Sequence, residues 1–255
     1  MIETFASLLP QGLSMLAASV LIVTSFAASF ITVAFGIGGG AVMLTVMATL
    51  VPPAALIATH GVIQLGSNLG RAAMTFGHIH WPAIPAFAAG SLIGAGLGGA
   101  VVVNLPPAWV QIGVGAFVIW SVLAKPPRIV RDWPLVIGAI SSFLTMFFGA
   151  TGLFVATFTK SQGLARHAYV ATHATLMTVQ HGIKTLAFGF LGFAFADWGP
   201  LIVALILAGL AGTFVGKSVL NRIDDRRFAW ALNAILILLS VRLIYAGLRA
   251  LTGQA

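Results

Sequence analysis

Apolar stretches recur along nearly the whole chain, at approximately 13–35, 39–51, 55–77, 82–103, 107–123, 133–148, 151–160, 167–191, 199–216 and 229–248. Short connections, many containing proline or basic residues, separate them. About 20 helical residues cross a hydrocarbon layer, and most of these stretches approach that length. The pattern predicts an all-α polytopic membrane protein. Apolar segments continue to the C-terminus, so a soluble protein behind a single signal peptide does not fit.

Two stretches carry polar side chains at helical spacing. In 55–77, His60, Gln64, Ser67, Asn68 and Arg71 fall at offsets of zero, four, seven, eight and eleven, on one helix face. Segment 167–191 presents His173, Gln180, His181 and Lys184 on a similar face, with Thr59 and Thr172 beside the two leading histidines. Such a stripe is expensive against lipid and useful against a polar cavity.

The two stretches also share a register. Ala58-Thr59-His60 recurs as Ala171-Thr172-His173 at an offset of 113 residues. At the same offset Ser29 meets Ser142, Thr32 meets Thr145, and Arg71 meets Lys184. The run Gly36, Gly38, Gly39 and Gly40 returns, degenerate, as Gly149, Thr151 and Gly152. Further on, Gly90, Gly94 and Gly98 have a loose counterpart in Gly209, Gly212 and Gly216. Small residues one turn apart let helices approach closely, so these later glycines are expected to be structural.

The basic connection Lys125 to Asp132 divides the segments into five plus five. Residues 1–125 and 126–255 are therefore expected to be first and second membrane repeats of one transport domain. If 39–51 and 151–160 both count as passages, the halves are inverted. Lys125/Arg128/Arg131, Lys160/Arg166 and Lys217/Arg222/Arg226/Arg227 then share the cytoplasmic side. If both are re-entrant, each half crosses four times and the 125–131 connection falls on the wrong side. Segment length favours the second arrangement and charge the first. The charge pattern decides for inverted five-segment repeats, a duplicated bundle with glycine-broken helices.

Composition agrees with the patterning. The chain is 59% hydrophobic and 7% charged, against about a quarter charged in soluble domains. Its net charge of +8 arises from thirteen basic residues against five acids, mostly in connections, with no nucleic-acid recognition module. Cysteine is absent, which excludes disulfides and thiol catalysis. Six histidines without a membrane carboxylate complete no obvious metal ligand set. No metal, cofactor or enzymatic activity is expected. The acids Glu3, Asp132, Asp197, Asp224 and Asp225 all lie near segment ends or in connections, so no buried carboxylate relay is available.

Arg71 and Lys184 lie inside their segments without a neighbouring acid in sequence. Each can attract an anion, or can snorkel to an interface on its long aliphatic stem. His60 and His173 can carry protons, donate to substrate oxygens, or satisfy structural carbonyls. Glycine openings in a membrane helix are tolerated only where protein or a cavity satisfies the backbone. Gly36, Gly38, Gly39, Gly40, Gly149, Thr151 and Gly152 accordingly read either as helix N-termini that receive an anion or as tight turns that permit packing.

The run FGIGGGAVMLTVMATLVPPAALIATHGVIQLGSNLGRAAM, with FFGATGLFVATF and ARHAYVATHATLMTVQHGIKTLAFG in the second half, resembles the TauE/SafE-type sulfite or sulfonate exporters, the anion permease TSUP group. The resemblance covers nearly the whole chain. Gly36, Gly38 and Gly39 match the family's Gly-x-Gly-Gly pattern, whereas Ala150 and Thr151 interrupt the second copy. It implies a duplicated secondary transporter or permease for small sulfur-containing anions, working by relative movement of two halves. The candidate pathway residues are the seven at the openings together with Thr59, His60, Gln64, Asn68, Arg71, Thr172, His173, Gln180, His181 and Lys184. An anion channel and a non-transporting membrane scaffold are the alternatives. The expected partners are a small anion and membrane lipid; a homo-oligomer is compatible but not required. The expected location is a bacterial-type inner or plasma membrane, multi-pass.

Overall fold

The computed structural model describes residues 9–35, 38–102, 106–124, 133–219 and 225–252. Among them are ten α-helices and no strand. In chain order these are α1 (Met15–Phe35), α2 (Gly39–Leu50), α3 (Pro53–Met74), α4 (Ile84–Val102) and α5 (Pro107–Leu123). They continue as α6 (Pro134–Phe148), α7 (Gly152–Ser161), α8 (Arg166–Phe190), α9 (Gly199–Val219) and α10 (Asp225–Leu251). Short 3-10 turns at Phe76–His78, Trp81–Ala83 and Phe195–Trp198 lead between α3 and α4 and into α9.

Local chemistry sets these boundaries. Proline opens α3, α5 and α6, where its fixed φ suits the first turn and its missing N–H is no loss. Gly38 precedes α2 with φ 101°, and Gly149 follows α6 with φ 73°, a region that side chains with a Cβ rarely occupy. Beyond α1, the Arg166 guanidinium donates to the Ala34 carbonyl at 3.1 Å, placing a cation at that helix's C-terminal end.

Three segments are long and apolar enough to cross a membrane by length and composition: Met15–Ala34, Trp81–Val102 and Phe195–Ser218. The 12-residue α2 and 10-residue α7 are shorter elements. At 1.5 Å per residue they extend only about 18 and about 15 Å, against a hydrocarbon layer of about 30 Å. Helices α3 and α8 have the length, at 22 and 25 residues, but each devotes a face to polar side chains.

The packing exchanges helices between the two sequence halves. Helix α4 lies parallel to α6, with Gly90 against the Leu135 carbonyl, Gly94 against that of Ala139, and Gly98 against Met146. Helix α9 lies parallel to α1 in the same way, with Gly212 against the Phe26 carbonyl and Gly216 against that of Phe30 and Val33. A Cβ at Gly94 or Gly212 would overlap the facing carbonyl oxygen. These seams correspond residue for residue: Ala139 and Met146 lie 113 positions beyond Phe26 and Val33. Ser25 donates to the Leu205 carbonyl at 2.6 Å, and its positional equivalent Gly138 faces the Phe87 carbonyl.

The other two principal pairings run antiparallel. In α3 and α8, Gly61 faces Lys184 and Leu65 faces Gly182. In α5 and α10, Gly115 faces Ser240 and Ile244, while Gly247 faces Ala108 and Ile112.

The distribution of polarity is the reverse of a water-soluble bundle. Buried positions include Ser25, Ser29, Asn68, Arg71, Thr145, Gln180, His181 and Lys184. Large apolar side chains project outward, among them Leu16, Leu97, Leu207, Phe214 and Phe190, the last 90% exposed. Apolar patches on this scale mark a surface that meets something other than water. The fold is that of a polytopic helical membrane protein.

Candidate functional site

The α3 and α8 faces bring the polar side chains together at the centre of the bundle. His60 is buried on α3 and its Nε2 lies 3.1 Å from the Gly40 carbonyl. A carbonyl only accepts, so Nε2 carries the proton and donates. The other ring nitrogen, Nδ1, has no partner and lies 3.3 Å from the place a Cβ on Gly149 would occupy. One histidine therefore bonds to the first glycine opening and faces the second. Gln64, one turn further along α3, sits over Gly40.

Helix α8 closes this space from the other side. The His181 ring meets the His60 ring edge-on, with centroids 6.0 Å apart, and its Nδ1 is also unpartnered. Lys184 is 0% exposed; its Cε would stand 3.0 Å from a Cβ on Gly61, so glycine there makes room for the aliphatic stem. The Lys184 ammonium has no hydrogen-bond partner and lies within electrostatic range of His60 and His181. Asp197, the acid outside the α-helices among the described residues, sits exposed in the turn before α9. Within this cluster the Lys184 ammonium holds the unused donors, while the free Nδ1 of His60 offers a lone pair.

The second half repeats parts of this arrangement and changes others. His173 Nε2 donates to the Gly152 carbonyl at 3.3 Å, and Tyr169 stacks on its ring with centroids 6.0 Å apart. Gln180 donates to the Thr151 hydroxyl and accepts from Ser141 at 3.2 Å. The Thr151 oxygen is thus already engaged within the protein. Thr145 donates to the Gly149 carbonyl at 3.2 Å, fixing the turn between α6 and α7.

Arg71 stands apart from the central cluster, towards the other end of α3. It is 4% exposed; one terminal nitrogen donates to Asn68 at 2.9 Å, while Nε has no partner. Asn68 in turn donates to the Gln64 carbonyl at 2.8 Å, so a polar ladder runs along α3 from Gln64 to the guanidinium. Arg71 also lies within electrostatic range of His173.

The candidate residues therefore fall into distinct groups. His60, Gln64, Gly40, Gly149, His181 and Lys184 lie together around the His60 ring. His173, Gly152, Gln180 and Thr151 form the second-half network, and Asn68 and Arg71 form the end of the ladder. Thr59 bonds back to Ala55 at 2.7 Å within its own helix, and Thr172 accepts from the His80 backbone at 2.9 Å. Gly38 sets the chain direction, and Gly39 packs against Ala28 and Thr32, where a Cβ would overlap backbone. Gly36 lies outside the described residues. Gly61, Ser141 and Tyr169 were not flagged by pattern; only the position of Gly61 directly after His60 hinted at a role. No group of three metal-ligating side chains occurs among the described residues.

The all-helical bundle with its outward apolar surface and buried polar side chains places the chain among the polytopic membrane proteins. The chain belongs to the sulfite exporter TauE/SafE family, whose model matches residues 21–243. No curated protein and no solved structure matches it.

Proposed function

We propose that this protein is a secondary transporter for small sulfur-containing anions such as sulfite or organosulfonates, moving them by alternating access. The observation that carries this reading is the Lys184 ammonium, fully buried without a partner beside His60 and His181, where the two glycine openings meet. A lone buried cation is costly, and an anion held between these groups would offset that cost. Family membership supplies the sulfur-containing substrate class. In this reading the protein performs no catalysis.

A carrier fits better than an open channel because the two cations differ in access. Lys184 is sealed, whereas Arg71 lines a cavity at the bundle's edge. Such one-sided access suits a site exposed alternately to each face. The packing of α1 on α9 and of α4 on α6 favours moving bodies that mix helices of both sequence halves.

Helix directions support a chain that alternates through α1 to α10 in two inverted repeats, with α2 and α7 as shortened passages. Passages that alternate through α1 to α10 make α1 parallel to α9, α4 parallel to α6, and α3 antiparallel to α8, as the contacts require. Re-entrant α2 and α7 would make α3 and α8 parallel. The basic connections then lie on the cytoplasmic side of a bacterial-type inner or plasma membrane.

Competitive uptake into proteoliposomes across sulfite, sulfoacetate, taurine, sulfate and small carboxylates tests the function, with imposed voltage and pH gradients. Saturable uptake inhibited by sulfur-containing anions is the expected result. Absence of uptake for every anion would leave the scaffold reading in its place.

A further inference from the structure

Besides the sealed central cluster, the bundle contains a cavity of about 130 Å³ lined by Val33, Arg71, Met74, Thr75, His167, Val170, Thr213 and Lys217. Four helices contribute: the end of α1, the last turn of α3 with the adjoining Thr75, the first turns of α8, and the distal part of α9. It shares no residue with the Lys184 cluster. The geometry points to a second binding site here, for a short-chain organic oxyanion such as an alkanesulfonate, with the charged group on Arg71 and Thr213 and the carbon chain against Val33, Met74 and Val170.

The charged end is built from groups that the protein itself leaves unsatisfied. Arg71 Nε and Thr213 Oγ1 are both buried without partners, at 4% and 2% exposure, and both residues line the cavity. Unpaired buried donors are disfavoured unless a ligand supplies acceptors. Lys217 and His167 stand at the same cavity as exposed side chains, and none of the lining residues is acidic. Arginine presents a fork of donors that suits a three-oxygen sulfonate head, which a single lysine does not. The side-chain amide oxygen of Asn68 holds one terminal nitrogen of Arg71, while Nε keeps no partner.

The apolar wall selects the other half of the ligand. Val33, Met74 and Val170 come from three different helices and give a bare inorganic anion nothing to contact. A ligand with two or three methylene groups would remove them from water here, and each buried methylene is worth about 0.8 kcal/mol, or about fourfold in affinity. The cavity is thus expected to favour an organic anion over sulfite. Its role as a waiting position on the transport path rests on the proposed transport function; its binding does not.

Equilibrium titration of purified, detergent-solubilised protein with propane-1-sulfonate, butyrate and sulfite tests the site, in a Lys184→Gln background that disables the central cluster. Propane-1-sulfonate is expected to bind at least about tenfold more tightly than sulfite. Butyrate distinguishes a sulfonate-selective head site from one that takes carboxylates equally; tighter binding of either than of sulfite supports the site. Thr213→Val should weaken propane-1-sulfonate at least fivefold. Val170→Ser should weaken propane-1-sulfonate while leaving sulfite unchanged, a split that misfolding would not produce. Equal affinity for sulfite and both organic anions, or unchanged binding in Thr213→Val, would overturn the proposal. The transport reading fails separately, by absence of flux from the unmodified protein.

Discussion

Lys184 of α8 lies across Gly61 of α3, its Cε 3.0 Å from the point where a side chain on Gly61 would begin. The glycine is therefore the floor on which a buried cation rests. Replacing Gly61 with valine should push the lysine stem aside and misplace its ammonium relative to His60 and His181. Misplacement by about 1 Å can lower a rate about a hundredfold, so uptake per folded molecule should fall by at least about tenfold. Proteoliposome flux normalised to monodisperse protein provides the measurement.

Lys184→Met separates function from stability in opposite directions. Methionine fills the same slot without leaving an ammonium unpaired, and should stabilise the fold by about 1–3 kcal/mol. Transport should be lost in the same variant. Thermal unfolding in detergent, compared with uptake, checks both signs; a less stable Lys184→Met protein would show that the cation is structurally satisfied.

His60→Leu removes the donor to the Gly40 carbonyl and the ring that faces the second glycine opening. A buried acceptor that loses its partner costs about 1–3 kcal/mol. His60→Gln keeps an N–H near the same carbonyl and should recover most of the stability. It should not recover transport, because the amide cannot present the second ring nitrogen towards Gly149. Paired unfolding and uptake measurements on the two variants distinguish these contributions.

Three glycines in equivalent helix interiors should respond differently to alanine. Gly94 and Gly212 face backbone carbonyls with no room for a Cβ, whereas Gly96 has nothing within 4 Å. Gly94→Ala and Gly212→Ala should each destabilise by about 1–3 kcal/mol through overpacking. Gly96→Ala should instead be neutral or stabilising by up to about 1 kcal/mol, since alanine is the better helix former. Yields of monodisperse protein and unfolding midpoints of the three variants make the comparison.

The helices were largely legible in the sequence because hydropathy and glycine placement act locally. Segment 39–51 became Gly39–Leu50, and 151–160 became Gly152–Ser161, each started by a glycine break. The expectation that Gly90, Gly94 and Gly98 serve packing holds, since close approach needs small residues one turn apart. The roles within the first glycine run were not legible. A glycine looks the same in sequence whether it provides positive φ, as Gly38 does, close packing, as Gly39 does, or a carbonyl for histidine, as Gly40 does.

Side-chain partners across helices were hidden for a related reason. The register of α3 placed His60 and Arg71 on one face, but one face can address two different spaces along its length. Thr213 meets the Arg71 cavity only because α9 lies beside α1 and α3, and no spacing within α9 encodes that neighbour. Likewise Thr59 adjoins His60 in sequence, yet its hydroxyl bonds back to Ala55 and does not join the cluster.

The seam between α1 and α9 has a consequence for the order in which the molecule is assembled. Ser25 of α1 finds its acceptor on Leu205, and Phe26 and Phe30 find their glycines at 212 and 216. During synthesis the first helix thus enters the bilayer long before its closest neighbour exists. Its serine-bearing flank stays unsheltered until the ninth helix has been made. Completion of this seam waits on residues made 180 positions after the serine that needs them.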